Sequence, residues 1–260
     1  MKSRGNRDEI VLATKVGANP KNLDDIKNSD GSVIDNWWLY GEGLSEDAIN
    51  KAIEGSLKRL QTDYIDLYYA HVEDVNTPLK ETLGVFNELI EKGIVKSIGC
   101  SNHRTWRLER SRNICHENNW QEYSCIQQFH TYLRPDPAKR EIHTNNELLD
   151  YITHNPEINL IAYTPTFWGN YAKIPKDADN SAWGIFNTKE LDNRLAALDQ
   201  IAKEKDCTRI QIVFAWLVQN TPSSIPLIAT SSIEHLDEDL ESLNIKLSED
   251  DLKILNEAKA

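Results

Sequence analysis

Six short apolar runs, each ending in polar residues and each separated from the next by helix-patterned sequence, constrain this chain more than any other feature. They are "EIVLATK", with residues 10–13 as its apolar part, then "YIDLYYAH" (64–71), "IVKSIGCSN" (94–102), "YSCIQQF" (123–129), "INLIAYT" (158–164) and "SIPLIAT" (224–230). Runs this continuously apolar, spaced by helices, predict strands of a parallel α/β sheet buried on both faces. Between them, Ser45 is a good N-cap for a helix whose Ile49, Ile53, Leu57 and Leu60 share one face. A second helix, 78–93, turns Leu79, Leu83, Phe86 and Ile90 inward and stops at Gly93. Further helices are expected near 104–118, 144–153, 232–242 and 248–258. Two more precede the last strand, the second opened by the capping box Thr208-x-x-Gln211. No linker or composition shift divides residues 1–260, so the chain reads as one domain.

Charge narrows the partners. With 29 basic and 41 acidic residues the net charge is -12, which repels phosphate backbones and disfavours nucleic acid or an anionic membrane as partner. No apolar run approaches the roughly 18 residues of a membrane span, and "MKSRGNRDE" has no apolar signal region. Cys100, Cys115, Cys125 and Cys207 form no CxxC pair and have no histidine at metal-ligand spacing, so no metal is expected. A reduced, cytoplasmic protein is the expectation.

The residues that end the strands are polar: Lys15, His71, Ser101 and Asn102, Gln127 and Gln128, Tyr163 and Thr164, Thr230 and Ser231. In a closed parallel barrel such positions converge on one mouth, where sites lie. Lys15 suits a structural ion pair, a Schiff-base nucleophile or an electrostatic partner of another acid. His71 fits a structural role as well as a chemical one, and Ser101–Asn102 fits a loop cap as well as a ligand amide. Trp37, Trp38 and Tyr40 occupy a long polar stretch and suit either a lid or a packed-down aromatic cluster. Trp168 and Trp183 lie in a second long loop, 166–188. There is no G-x-G-x-x-G and no P-loop.

"LATKVG", "LQTDYIDLYYAH", "EKGIVKSIGCSN", "IAYTP" and "IPLIATSSIEHLDEDL", in this order and spacing, resemble the aldo-keto reductase family from Asp8 to the C-terminus. That resemblance implies a (β/α)8 TIM barrel. It also implies hydride transfer from NADPH to an aldehyde or ketone without metal or flavin, on a small-molecule carbonyl substrate. Lys15 and His71 match the family's catalytic lysine and histidine. Ser101, Asn102 and Gln127 match residues that hold the nicotinamide carboxamide. His130 stands where the family commonly stacks a tyrosine on the nicotinamide ring. Tyr163, Thr164 and Pro165 begin a segment that resembles the cover of the cofactor diphosphate. Thr230, His235, Glu238 and Asp239 match the adenosine-phosphate clamp. The family often carries a lysine or arginine there, whereas this chain has Ala229 and His235. A weaker preference for NADPH over NADH is therefore expected.

In the family, the strand matching "EIVLATK" is the third of eight; the second strand ends in an aspartate, which is followed closely by a tyrosine that protonates the carbonyl oxygen. This chain has no counterpart to either, and Tyr40 echoes that tyrosine only superficially. The expectation is an incomplete, N-terminally truncated barrel of about six strands, whose apolar edges invite oligomers. The alternative function is a catalytically impaired cofactor-binding or interaction protein of the same fold. An aldolase-type reading of Lys15 stands third, and the cofactor-clamp residues argue against it.

Overall fold

The computed structural model describes residues 5–20, 22–28, 40–172, 183–186 and 189–258. Trp37 and Trp38 lie outside the described residues. Contacts divide the chain into two compact units, Met1–Ile126 and Gln127–Ala260. Six strands follow one another in chain order, and eight α-helices alternate with them among the described residues.

The first unit contains β1 (Ala13–Val16), α1 (Glu46–Leu60), β2 (Ile65–Ala70), α2 (Leu79–Glu91), β3 (Val95–Ser101) and α3 (Thr105–Asn118), and ends inside β4 (Cys125–Phe129). β1 pairs with β2 and β2 with β3, both parallel. Ser45 caps α1 by accepting from the Ala48 N–H, and Gln61 ends that helix in the left-handed region. Of the predicted inward faces, Ile49 and Ile53 of α1 and Leu83 and Phe86 of α2 are buried, while Leu57, Leu60, Leu79 and Ile90 are only partly covered. Tyr68 meets Phe86 at 5.5 Å between ring centroids.

A carboxylate at the start of β2 ties three segments together. Asp66 accepts from the Leu12 N–H at 3.0 Å and pairs with Arg7 at 2.7 Å and Lys96 at 2.9 Å. Burial alone would raise its pKa. The hydrogen bonds from Leu12, Lys96 and Arg7, with the charge of Arg7, outweigh burial and bring it down to about 2.

The second unit holds α4 (Asn146–His154), β5 (Asn159–Tyr163), α5 (Leu191–Glu204), α6 (Arg209–Gln219), β6 (Ser224–Pro226), α7 (Ile233–Glu241) and α8 (Glu249–Glu257). The capping box at Thr208 and Gln211 opens α6 as its sequence pattern predicts. The core is strongly aromatic. Phe167 contacts Phe186 at 4.7 Å and Trp183 at 5.0 Å, over buried Leu198, Ile201, Ile212 and Val213. Part of the second long loop is thus anchored by burial.

Sequence and structure differ at the two end strands. The apolar run 10–13 is not a buried strand: β1 begins only at Ala13 and runs through Lys15, and Val11 is 77% exposed. The run 224–230 yields three strand residues, with Ile225 54% exposed and Leu227 and Ile228 also exposed. α7 forms, but none of its residues is fully buried. β1 and β6 stand first and last in the strand order, so each has a ladder partner on one flank only among the described residues. A strand at the end of the order presents one flank without a ladder partner, and composition alone does not show which strands stand there.

Inside the first unit the packing is close at one glycine. A Cβ on Gly99 would lie 2.7 Å from Cys125 Sγ and 2.8 Å from the Tyr69 ring. Gly99→Ala should therefore lower stability by about 1–3 kcal/mol, read as a lower urea midpoint; an unchanged midpoint would show that the ring moves without cost. Acid should expose the Asp66 network. Because its folded pKa is depressed, its contribution is complete above the ordinary value of 3.8 and is lost as pH falls through about 2. Acid titration of Asp66→Asn should lack this component, and identical acid profiles for the two proteins would refute the assignment.

Candidate active site

In the first unit the strand register builds a layered polar cluster. Lys15 of β1 is the register partner of Tyr69 in β2, and Tyr69 that of Gly99 in β3. Two residues further along each of these chains stand His71 and Ser101, on the same face by the period of two along a strand. The His71 N–H donates to the Val16 carbonyl at 2.8 Å, extending the ladder to the strand end. Asn102, in the left-handed region at φ 53°, donates through Nδ2 to the His71 carbonyl at 3.1 Å and to Ser101 Oγ at 3.2 Å. Lys15, His71, Ser101 and Asn102 thus form one neighbourhood.

The electrostatics are those of a half-buried pair of bases. Burial lowers the Lys15 pKa, and its ammonium lies 5.5 Å from the centre of the Tyr69 ring. Burial, and then the charge of Lys15, push the His71 pKa down to about 4. At neutral pH the imidazole is therefore uncharged and acts as a hydrogen-bonding group beside a cation. That combination can stabilise negative charge developing on an oxygen placed between them.

The loops beneath this cluster are held by carboxylates. Asp74 accepts from the Leu44 N–H at 2.8 Å and from Thr77 Oγ1 at 2.7 Å. Glu42 accepts from the Gly17 N–H at 3.1 Å. Glu73 pairs with Arg104. Tyr40 is exposed at the edge of this region.

The remaining candidates belong to the second unit. Gln127 and Gln128 are both buried in β4. His130 is buried with its ring 5.6 Å from Trp216, and burial, then His143 and Arg194, push its pKa down to about 3. It lines a cleft of about 620 Å³ together with Tyr132 and Arg194, the latter buried and donating to the Tyr132 carbonyl at 2.6 Å. Tyr163 ends β5, accepts from Arg140 at 2.7 Å and meets Phe129 edge-on at 5.8 Å. Thr164 is left-handed at φ 55°, as are Phe167 and Trp168 at φ 51°. Such bulky residues are strained there. The Pro165 carbonyl accepts from Thr131 at 2.6 Å, which pins the start of that loop. Thr230 and His235 are exposed at the N-terminal end of α7, where Ser232 accepts from the His235 N–H at 3.2 Å. The Glu238 carbonyl accepts from Gln211 at 3.1 Å, and burial and Glu238 raise the Asp239 pKa.

Within the first unit, the Ser101 and Asn102 side chains match the donor–acceptor character of a carboxamide. Within the second unit, the start of α7 is capped by Ser232. Among the described residues no cluster of three His, Cys, Asp or Glu could hold a metal ion. No described helix is long and apolar enough to cross a membrane.

Sequence reasoning passed over Tyr69, Glu73, Asp74 and Arg104. Tyr69 carried a signal, lying two residues before His71 and so on the same strand face. The two acids follow the strand end directly in "HVED", but Arg104, the partner of Glu73, and Leu44, one partner of Asp74, lie about thirty residues away and have no local pattern.

Comparison with known proteins gives a consistent picture. The family model described as the aldo/keto reductase family matches residues 1–260. An aldo-keto reductase of Fusarium vanettenii is 26% identical, over 98% of this chain and 70% of its own length. A versiconal hemiacetal acetate reductase of Aspergillus parasiticus is 25% identical, over 96% of this chain and 74% of its own. The crystal structure of a thermostable aldo-keto reductase with the inhibitor epalrestat superposes with a TM-score of 0.71 at 25% identity. It covers 98% of this chain and 74% of that one.

The His71 environment gives a direct test. Its imidazole resonances should titrate near pH 4 rather than near the ordinary 6.5. Lys15→Met should move the midpoint upward by removing the neighbouring charge. A wild-type midpoint near 6.5 would show that His71 is not held as described.

Proposed function

The chain belongs to the aldo/keto reductase family, and from that premise we propose that it reduces an aldehyde or ketone with a nicotinamide cofactor, using residues 1–260 as one catalytic domain. The observation that carries the reading is the Lys15–His71–Asn102 neighbourhood: a half-buried ammonium, a neutral imidazole and an oriented amide side by side. When bound, the cofactor supplies the hydride. Lys15 stabilises the negative charge that develops on the carbonyl oxygen, and a proton from solvent completes the alcohol. His71, uncharged at neutral pH, orients that oxygen by a hydrogen bond.

Ser101, Asn102 and Gln127 are the proposed holders of the carboxamide, with His130 assigned to the ring. Tyr163, Thr164 and Pro165 are assigned to the diphosphate, and Thr230, His235, Glu238 and Asp239 to the adenosine end. Support for the last group is the exposed, Ser-capped start of α7. No lysine or arginine occurs over 229–240, and an imidazole lacks the guanidinium's fixed charge and two-pronged donor geometry. We therefore propose that NADPH and NADH are both accepted. Trp168, 65% exposed, supports an apolar or aromatic carbonyl substrate. The cytoplasm as compartment rests on four unpaired cysteines, and self-association on the exposed apolar residues at β1 and β6.

Titration with each cofactor, followed by tryptophan fluorescence, should give dissociation constants within about tenfold of each other, about 1.4 kcal/mol. A hundredfold preference for NADPH would overturn the dual-cofactor reading. With an aromatic aldehyde as substrate, Lys15→Met should lower kcat by about 10²–10³. Saturable cofactor binding without reduction of any aldehyde or ketone would overturn the reductase reading itself.

A further inference from the structure

We propose that Glu73 is a positioning residue that holds the Ser101–Asn102 turn in its cofactor-binding geometry, an inference that rests on the functional reading above. Glu73 lies two residues beyond His71, in the loop after β2. Its carboxylate is only 5% exposed. One oxygen accepts from the Arg104 backbone N–H, and the other accepts from Arg104 Nη1 at 2.6 Å.

Arg104 occupies the N-cap position of α3, and its own side chain makes no capping bond there. The Arg104 carbonyl accepts from the Arg107 and Leu108 N–H groups at 3.0 and 3.1 Å, beginning the helix. Glu73 therefore places a carboxylate at the positive end of α3, where the helix dipole favours it. A charge-assisted pair to one residue through both backbone and side chain fixes direction as well as distance.

The turn between Ser101 and Arg104 is consequently held at both ends by one loop. At one end Asn102 Nδ2 donates to the His71 carbonyl at 3.1 Å. At the other, Arg104 donates to Glu73. Between them Asn102 keeps a positive φ of 53°, and His103 Nδ1 contacts the Ser101 carbonyl at 2.8 Å. A left-handed asparagine persists where its surroundings over-determine it. Removing Glu73 releases one end, so the Asn102 amide loses its fixed direction. The helix stays attached, because Arg107 Nη2 also donates to the Asp74 carbonyl at 2.6 Å. Glu73 thus acts on the binding pair through Arg104, without itself touching cofactor.

The test is a double-mutant cycle on NADPH affinity, with hydrogen exchange read in parallel. Glu73→Ala should weaken NADPH binding about tenfold and leave kcat at saturating cofactor within about twofold. Glu73→Gln, which still accepts from the Arg104 N–H, should recover most of that loss. In an Asn102→Ala background Glu73→Ala should cost little more. Equal losses in both backgrounds would overturn the proposal, leaving Glu73 a general stabiliser. Hydrogen exchange should show amides 102–104 losing protection in Glu73→Ala while the middle of α3 keeps its own. Unchanged protection at 102–104 would also overturn it. If the wild-type chain bound neither NADPH nor NADH, the functional reading would fail, and the exchange data alone would decide whether Glu73 holds the turn.

Discussion

Two adjacent carboxylates at the end of β2 organise the first unit. Glu73 reaches forward to Arg104 at the start of α3, and Asp74 reaches back to the Leu44 N–H just before α1. The Asp74 carbonyl takes a third bond, from Arg107 of α3. Loops that follow three successive strands are therefore tied to one four-residue segment that also begins with His71. A buried carboxylate left without these donors would be strongly unfavourable, so the loops cannot drift apart singly. These ties hold the loops that flank the candidate cluster.

The same strand carries opposite electrostatic devices at its two ends. At its start Asp66 is stabilised as an anion by Arg7, Lys96 and the Leu12 N–H. At its finish His71 is kept uncharged by burial and by Lys15. One end uses charge to hold segments together; the other uses the absence of charge to keep a neutral hydrogen-bonding group beside a cation. Both follow from one rule, that low-polarity surroundings amplify whichever interaction is present.

Much of this was legible in the chain. The helices at 46–60, 79–91 and 209–219 follow from caps and apolar periodicity, because capping and amphipathic patterning are local. Lys15, His71, Ser101 and Asn102 could be named because strand ends can be read as changes from apolar to polar residues. The runs 10–13 and 224–230 misled for a related reason. They are as apolar as the inner strands, but they stand first and last in the strand order, and composition does not say which strands those are.

By itself the sequence determined the alternation of strands and helices, the caps and the polar row at the strand ends, since each depends on residues within a few positions of one another. Only the tertiary structure decided that burial and Lys15 lower the His71 pKa, that the Tyr69 ring packs close to Gly99, and that Glu73 holds Arg104. Those facts depend on burial and on register between strands about thirty or more residues apart in the chain, and no local pattern encodes which distant side chain will fill a given space.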